Sequence, residues 1–179
     1  MPVPVFTTGE VLTASAMNQV GLWLVSTQTF SAQTDVDVTS VFTADYENYL
    51  AVVRLASSLT GNYNNVRLLN GSTPKATNYS RSGVLANTSN VISSDSSGTG
   101  ATSWRWGLQS TVAIYGTMTF FRPFSTAPTG YKADAIYDGS QISHAGVQTE
   151  SYSATGFRIL ADAGASTYTG TVSVYGYNN

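Results

Sequence analysis

Residues 111–121 read TVAIYGTMTFF, and the period of this stretch is two. Val112, Ile114, Met118 and Phe120 fall on one face, while Ala113, Tyr115, Thr117 and Thr119 fall on the other. Such alternation belongs to a strand with one face covered. Gly116, in its middle, marks either a bulge or a place where another backbone comes close. Residues 49–57 (YLAVVRLAS) are a continuous apolar run broken by Arg54, as expected of a strand inside a sheet. Residues 169–177 (TGTVSVYGY) set Val172 and Val174 against Thr171, Ser173, Tyr175 and Tyr177. Shorter runs of the same kind lie at 23–30, 35–42, 66–70, 104–109, 131–137 and 156–160.

Turn dipeptides separate these runs: Gly61-Asn62, Asn70-Gly71, Asp138-Gly139 and Ala163-Gly164. Nine or ten short strands with frequent turns predict a mainly β protein, an antiparallel, jelly-roll-like β-sandwich. A parallel sheet would need crossover helices, and no helical pattern remains to supply them. Helix formers gather only at residues 13–20, with Thr13 as N-cap and Gly21 as stop. Leu12 and Met17 stand at the two positions of a hydrophobic staple. The expected organisation is an N-terminal arm and helix over 1–21, then a β-sandwich domain over 22–179. Residues 86–103 (ANTSNVISSDSSGTGATS) are the one low-complexity segment and read as a long exposed loop.

The composition agrees and narrows the function. The chain has 179 residues, 10% of them charged, with a net charge of −2, two lysines, no cysteine and one histidine. Its 23 Ser and 24 Thr fill the space charges usually take. Nothing here provides the basic surface that nucleic acid or an acidic membrane would need. Without cysteine there is no disulfide framework, thiolate metal site or cysteine nucleophile. No apolar run reaches eighteen residues, and Met1-Pro2-Val3-Pro4-Val5 lacks the basic start of a signal peptide.

Residues 6–18 (FTTGEVLTASAMN) resemble the F-x-x-G-x-x-L-T-A-x-x-x-N opening of bacteriophage tail-fibre and minor structural proteins. The remainder resembles a β-rich module of the same class of virion proteins. The matching stretches are Phe42–Tyr49 (FTADYENY), Val66–Leu68 with Asn70, Asn78-Tyr79, Pro123, Gly156–Ile159 and Thr169–Tyr177. These are scaffold motifs. The resemblance implies a protein of the phage particle, made in the host cytoplasm, that attaches to other virion proteins through Phe6, Val11, Leu12 and Met17. It also implies a homotrimer. A long shaft is missing between arm and sandwich, which favours a compact tip, knob, decoration or adaptor.

His144 is the one group that titrates near neutrality, and no G-x-S-x-G elbow accompanies it, so it reads as a loop or sheet-surface residue. Glycoside hydrolysis needs two carboxylates about 5–10 Å apart. Asp35 with Asp37, and Asp134 with Asp138, could each share a strand face. No metal-ligand cluster appears, and Gly98-Thr99-Gly100 lacks the lysine of a phosphate loop. No cofactor, metal or catalytic residue is therefore assigned.

Aromatic residues supply the candidate contact sites. Trp104 and Trp106 share one sheet face with Arg105 between them, and suit either a sugar or partner contact or the core, with the core favoured. Tyr63 and Tyr79, near Arg81, form a second candidate patch. Arg54 and Arg67 interrupt apolar strands and read as structural, paired with a carboxylate such as Asp45 or Glu47 or with backbone carbonyls. The expected function is a non-enzymatic virion structural protein, a short tail-fibre, tail-tip or capsid-decorating (head-fibre) protein touching a host surface glycan or sister subunits. The alternatives are a lectin-like carbohydrate-binding module and, less favoured, a polysaccharide-degrading enzyme.

Overall fold

Alternation of apolar and hydroxyl side chains gives each strand one face to bury, and two such sheets bury them against each other. The computed structural model describes residues 21–89, 91–162 and 165–178. Its strands are β1 (Trp23–Gln33), β2 (Val36–Val38), β3 (Asn48–Ser57), β4 (Tyr63–Asn70), β5 (Thr73–Pro74), β6 (Tyr79–Ala86) and β7 (Ile92–Ala101). They continue with β8 (Trp104–Leu108), β9 (Ile114–Phe121), β10 (Thr129–Tyr137), β11 (Ser140–Gln148), β12 (Gly156–Ala161) and β13 (Tyr168–Tyr177). The arm, the helix expected over 13–20, the attachment residues Phe6, Val11, Leu12 and Met17, and the Ala163-Gly164 turn lie outside the described residues.

Every pairing is antiparallel. An eight-stranded sheet runs β1-β13-β3-β9-β10-β11-β6-β7, and a five-stranded sheet holds β2-β12-β4-β5 with β8 also on β4. The fold is the expected antiparallel β-sandwich. Its centre is aromatic: Phe120 of β9 lies 4.9 Å from Phe157 of β12, and Phe42 packs against both at 5.1 and 5.9 Å.

β9 begins at Ile114, three residues after the start of the alternating run, because Val112 lies in an exposed turn. Ile114, Met118 and Phe120 are buried as the alternation requires. Gly116 makes no bulge. It permits a close approach, since a Cβ there would lie 2.3 Å from the Asp134 carbonyl oxygen. Asp138-Gly139 closes the β10–β11 hairpin with both φ positive (44° and 72°), the two-residue turn that this dipeptide favours. The 35–42 run gives only the three residues of β2, and Ser40 turns the chain with φ 57°.

The largest departure concerns the serine-rich segment. Residues 92–101 are not a loop but β7, paired with β6 from Ala86↔Ile92 to Tyr79↔Ala101. Neither sequence period nor β-propensity marks ISSDSSGTGA as a strand. It is held by a neighbour already in the sheet and by the ion pairs of Asp95 described below.

Candidate functional surface

The buried inner faces carry the aromatic core, and the ionisable groups at the sandwich margin and on the outer faces are mostly paired. Trp104 and Trp106 are fully buried on the inner face. Trp104 stacks flat on Tyr131 (4.5 Å, 2°) and meets Tyr79 edge-on at 4.9 Å. Tyr79 is also fully buried, and its hydroxyl receives the Leu68 amide and donates to the Lys75 carbonyl. Burial raises the pKa of both Tyr79 and Tyr131. These three candidate contact residues are core, because each aromatic ring is enclosed by facing sheets. Tyr63 is half-buried and carries the Arg105 guanidinium 3.8 Å above its ring.

That guanidinium belongs to a cluster at the sandwich margin. Asp95 of β7 accepts from Arg81 Nε (3.0 Å) and Arg105, while His144 Nε2 lies 3.4 Å away. Arg105 also reaches Asp162 at 3.2 Å, and Asp162 receives the Asn65 amide at 2.9 Å. Arg81 donates as well to the Ser103 carbonyl. His144 is 2% exposed on the inner face of β11, not on a sheet surface or loop. The space for its ring comes from Gly83 directly across on β6, where a Cβ would sit 2.1 Å from the imidazole. Burial lowers the His144 pKa, against the pull of Asp95 and with the two arginines adding to the depression. The enclosed imidazole stands among these paired charges, in contact with the Asp95 carboxylate of β7.

The other acidic pairs are similarly engaged. Asp35 and Asp37 both bind Arg158, Asp37 through Nε and Nη2 and Asp35 through Nη1 at 3.0 Å. The hydrogen bonds of Asp37 raise the Arg158 pKa further. Asp134 pairs with Lys132 at 2.9 Å. Burial opposes its ionisation, but hydrogen bonds from Lys132 and Ser143 hold its carboxyl below the ordinary value. Arg67 donates to the Thr102 carbonyl at 3.0 Å, so it uses a backbone partner as expected. Arg54 is exposed, not buried, and lies over Tyr115 at 5.8 Å. Neither arginine uses Asp45 or Glu47. Asp45 accepts from Thr43, and Glu47 faces Arg122 at 3.8 Å.

The outer face of the eight-stranded sheet is a grid fixed by register. One cross-strand row reads Thr29, Thr171, Arg54, Tyr115, Ile136 and Gln141, from β1 through β11. The next reads Thr27, Ser173, Val52, Thr117, Asp134 and Ser143. Hydroxyls meet across the β1–β13 seam, Thr27 to Ser173 at 3.0 Å and Thr29 to Thr171 at 3.4 Å. Among the described strands this face carries only three charged side chains: Arg54, Lys132 and Asp134. It also leaves large apolar groups in solvent, including Leu24, Val52, Tyr115, Phe121, Ile136 and Val147. Exposed apolar groups on one weakly charged face make it the candidate contact surface.

Two depressions interrupt this face. The one at the Phe121 end of β9 has a volume of about 520 Å³ and lies between Phe121, Gly130, Gly146 and Val147. The other, at the opposite end of the strands, is about 400 Å³ and lies among Val52, Arg54, Tyr115, Thr117, Asp134 and Ile136. Among the described residues no three His, Cys, Asp or Glu side chains gather to hold a metal ion, and no helix is long and apolar enough to cross a membrane. No protein-family model, curated protein or solved structure matches the chain.

Proposed function

We propose that the chain is a non-enzymatic structural protein of a bacteriophage particle, of the short tail-fibre, tail-tip or capsid-decorating kind. In this reading the N-terminal arm docks onto other virion proteins and the sandwich presents its broad outer face. The observation that carries the contact role is that weakly charged face, with its exposed apolar residues and rows of hydroxyls. The phage assignment rests on the resemblance of residues 6–18 and of the strand segments. Engagement of the acidic pairs supports a binding role over glycan cleavage, because Asp35 and Asp37 share Arg158 and Asp134 is held by Lys132.

The arm leads into the start of β1, where Leu22 and Leu24 are exposed, at the same end of the strands as the Phe121–Val147 depression. Assembly contacts, including those of a homotrimer, are assigned to this end. Immunogold labelling of purified particles tests the reading directly. Discrete labelling at the tail or capsid is expected, and full-length protein absent from particles would overturn it. Deletion of residues 1–21 should leave a folded β domain that no longer enters particles. A deletion that prevents folding would show that the arm belongs to the core.

A further inference from the structure

The depression at the far end of the outer face has a chemistry of its own. Tyr115 presents its ring to solvent at 47% exposure, and Ile136 stands beside it in register at 58%. Val52 closes the apolar floor on the β3 side. Around this floor stand Arg54, Thr117 and Gln141, whose side chains make no hydrogen bond among the described residues, and Asp134. Thr117 and Gln141 are free to bond a ligand, Asp134 is held by Lys132, and Arg54 lies over the Tyr115 ring at 5.8 Å. An apolar platform with such a rim orients a ligand that has a hydrophobic face and a polar edge. A pyranose ring has that form: C–H groups on one face and hydroxyls around its edge. An exposed tyrosine offers it a flat, amphipathic partner.

The depression does not end at Ile136. A second one, of about 350 Å³, shares Tyr115, Ile136 and Gln141 and extends to Tyr137, Asp138 and Ser140 at the β10–β11 turn. Two open, adjoining subsites on one platform suit consecutive units of a linear chain. Charge selects further. Arg54 stands against Asp134 and Asp138, so the lining has no net positive character and gives an anionic polymer little to bind. Tyr115 is six residues along β9 from Phe121, about 20 Å at the rise of a strand, so the site lies away from the assembly end.

We infer that the groove across Tyr115, Ile136 and Gln141 binds a linear neutral oligosaccharide. This deepens the contact role proposed above and rests on it for the biological setting. The test uses the full-length chain and saturation-transfer NMR with neutral linear tetrasaccharides of glucose, galactose, mannose and N-acetylglucosamine, and a hyaluronan tetrasaccharide as the anionic comparison. Saturation should pass to at least one neutral probe and not to hyaluronan. Affinity should fall at least tenfold in Tyr115→Ala and several-fold in Gln141→Ala, with thermal stability unchanged. Val147→Ala, at the other end of the face, should bind as the parent does.

Absence of transfer to every neutral probe, or equal transfer in Tyr115→Ala, would overturn the inference. So would an oligomer that Tyr115→Ala dissociates in light scattering, because the groove would then be covered by a second copy. None of these results would alter the location of the protein on particles. Conversely, sugar binding by a protein absent from particles would leave the groove assigned and remove the virion reading.

Discussion

Asp95→Asn should loosen one strand more than the whole sandwich. The carboxylate is 14% exposed and joins Arg81 and Arg105, themselves 13% and 17% exposed. Removing one partner of a buried ion pair costs about 3–5 kcal/mol, because the other charge is left without compensation. Here Arg105 keeps Asp162 and Arg81 keeps the Ser103 carbonyl, and all three groups retain some water. The expected cost is therefore about 2 kcal/mol, below the range for a fully buried pair. In a chain of this size it corresponds to a fall in Tm of about 4–8 °C. Calorimetry gives the global value, and amide hydrogen exchange separates the local part. Amides of residues 92–98 should lose protection at once, while those of β3 and β9 follow only the global change. Lys132→Gln is the control, since its exposed pair with Asp134 is worth about 0–1 kcal/mol. Equal Tm values for Asp95→Asn and the control, with β7 exchange unchanged, would refute the role of the cluster in holding β7.

Trp104→Ala, which removes a fully buried ring stacked on Tyr131, should destabilise by about 3–5 kcal/mol in denaturant titration. Gly83→Ala should cost about 1–3 kcal/mol and displace the imidazole, seen as shifted His144 ring resonances, because the added methyl overlaps it. The depressed His144 pKa fixes the sign of a pH effect. The unfolded chain takes up this proton first, so stability is full above the ordinary histidine value of about 6.5 and declines as pH falls below it, until the folded-state imidazole is protonated. His144→Gln should flatten that part of the stability–pH curve. Asp95, Arg81 and Arg105 face the ring, and the same curve in Asp95→Asn should steepen, because the imidazolium loses its one neighbouring anion.

Sequence period was enough for strands whose two faces differ. β9 and β13 alternate strongly, and their register places the expected residues inside, while β3 was legible as a continuous apolar run. It failed for β7, whose small hydroxyl and glycine residues look alike on both faces, so the partner strand decides its structure. β11 (SQISHAGVQ) was missed for a related reason: its inner face sets one large apolar residue, Ile142, among Ser140, His144 and Gln148. The tryptophans were legible as a same-face pair, and the core reading favoured for them matches their full burial. The groove was not legible at all. Tyr115 and Ile136 are 21 residues apart, and only the β9–β10 register makes them neighbours. Nor could Arg54 be read as exposed from its place in an apolar run. β3 lies inside the sheet by pairing, yet its outer face is open.

The pairing of β1 with β13 imposes a delay during synthesis. Thr27 and Ser173 touch across that seam but lie 146 residues apart in the chain. At ordinary rates of translation, roughly 7–30 s pass between their appearance. Throughout that interval β1 has left the ribosome with no partner, since β13 stands between it and the rest of the sheet. Its sequence, WLVSTQTFSAQ, is suited to waiting: after the first three residues only Phe30 is both large and apolar. A nascent chain stalled before residue 168 would therefore offer an open edge at β3 and an unpaired β1. Those two segments are where a chaperone, or a neighbouring nascent chain, would engage it first.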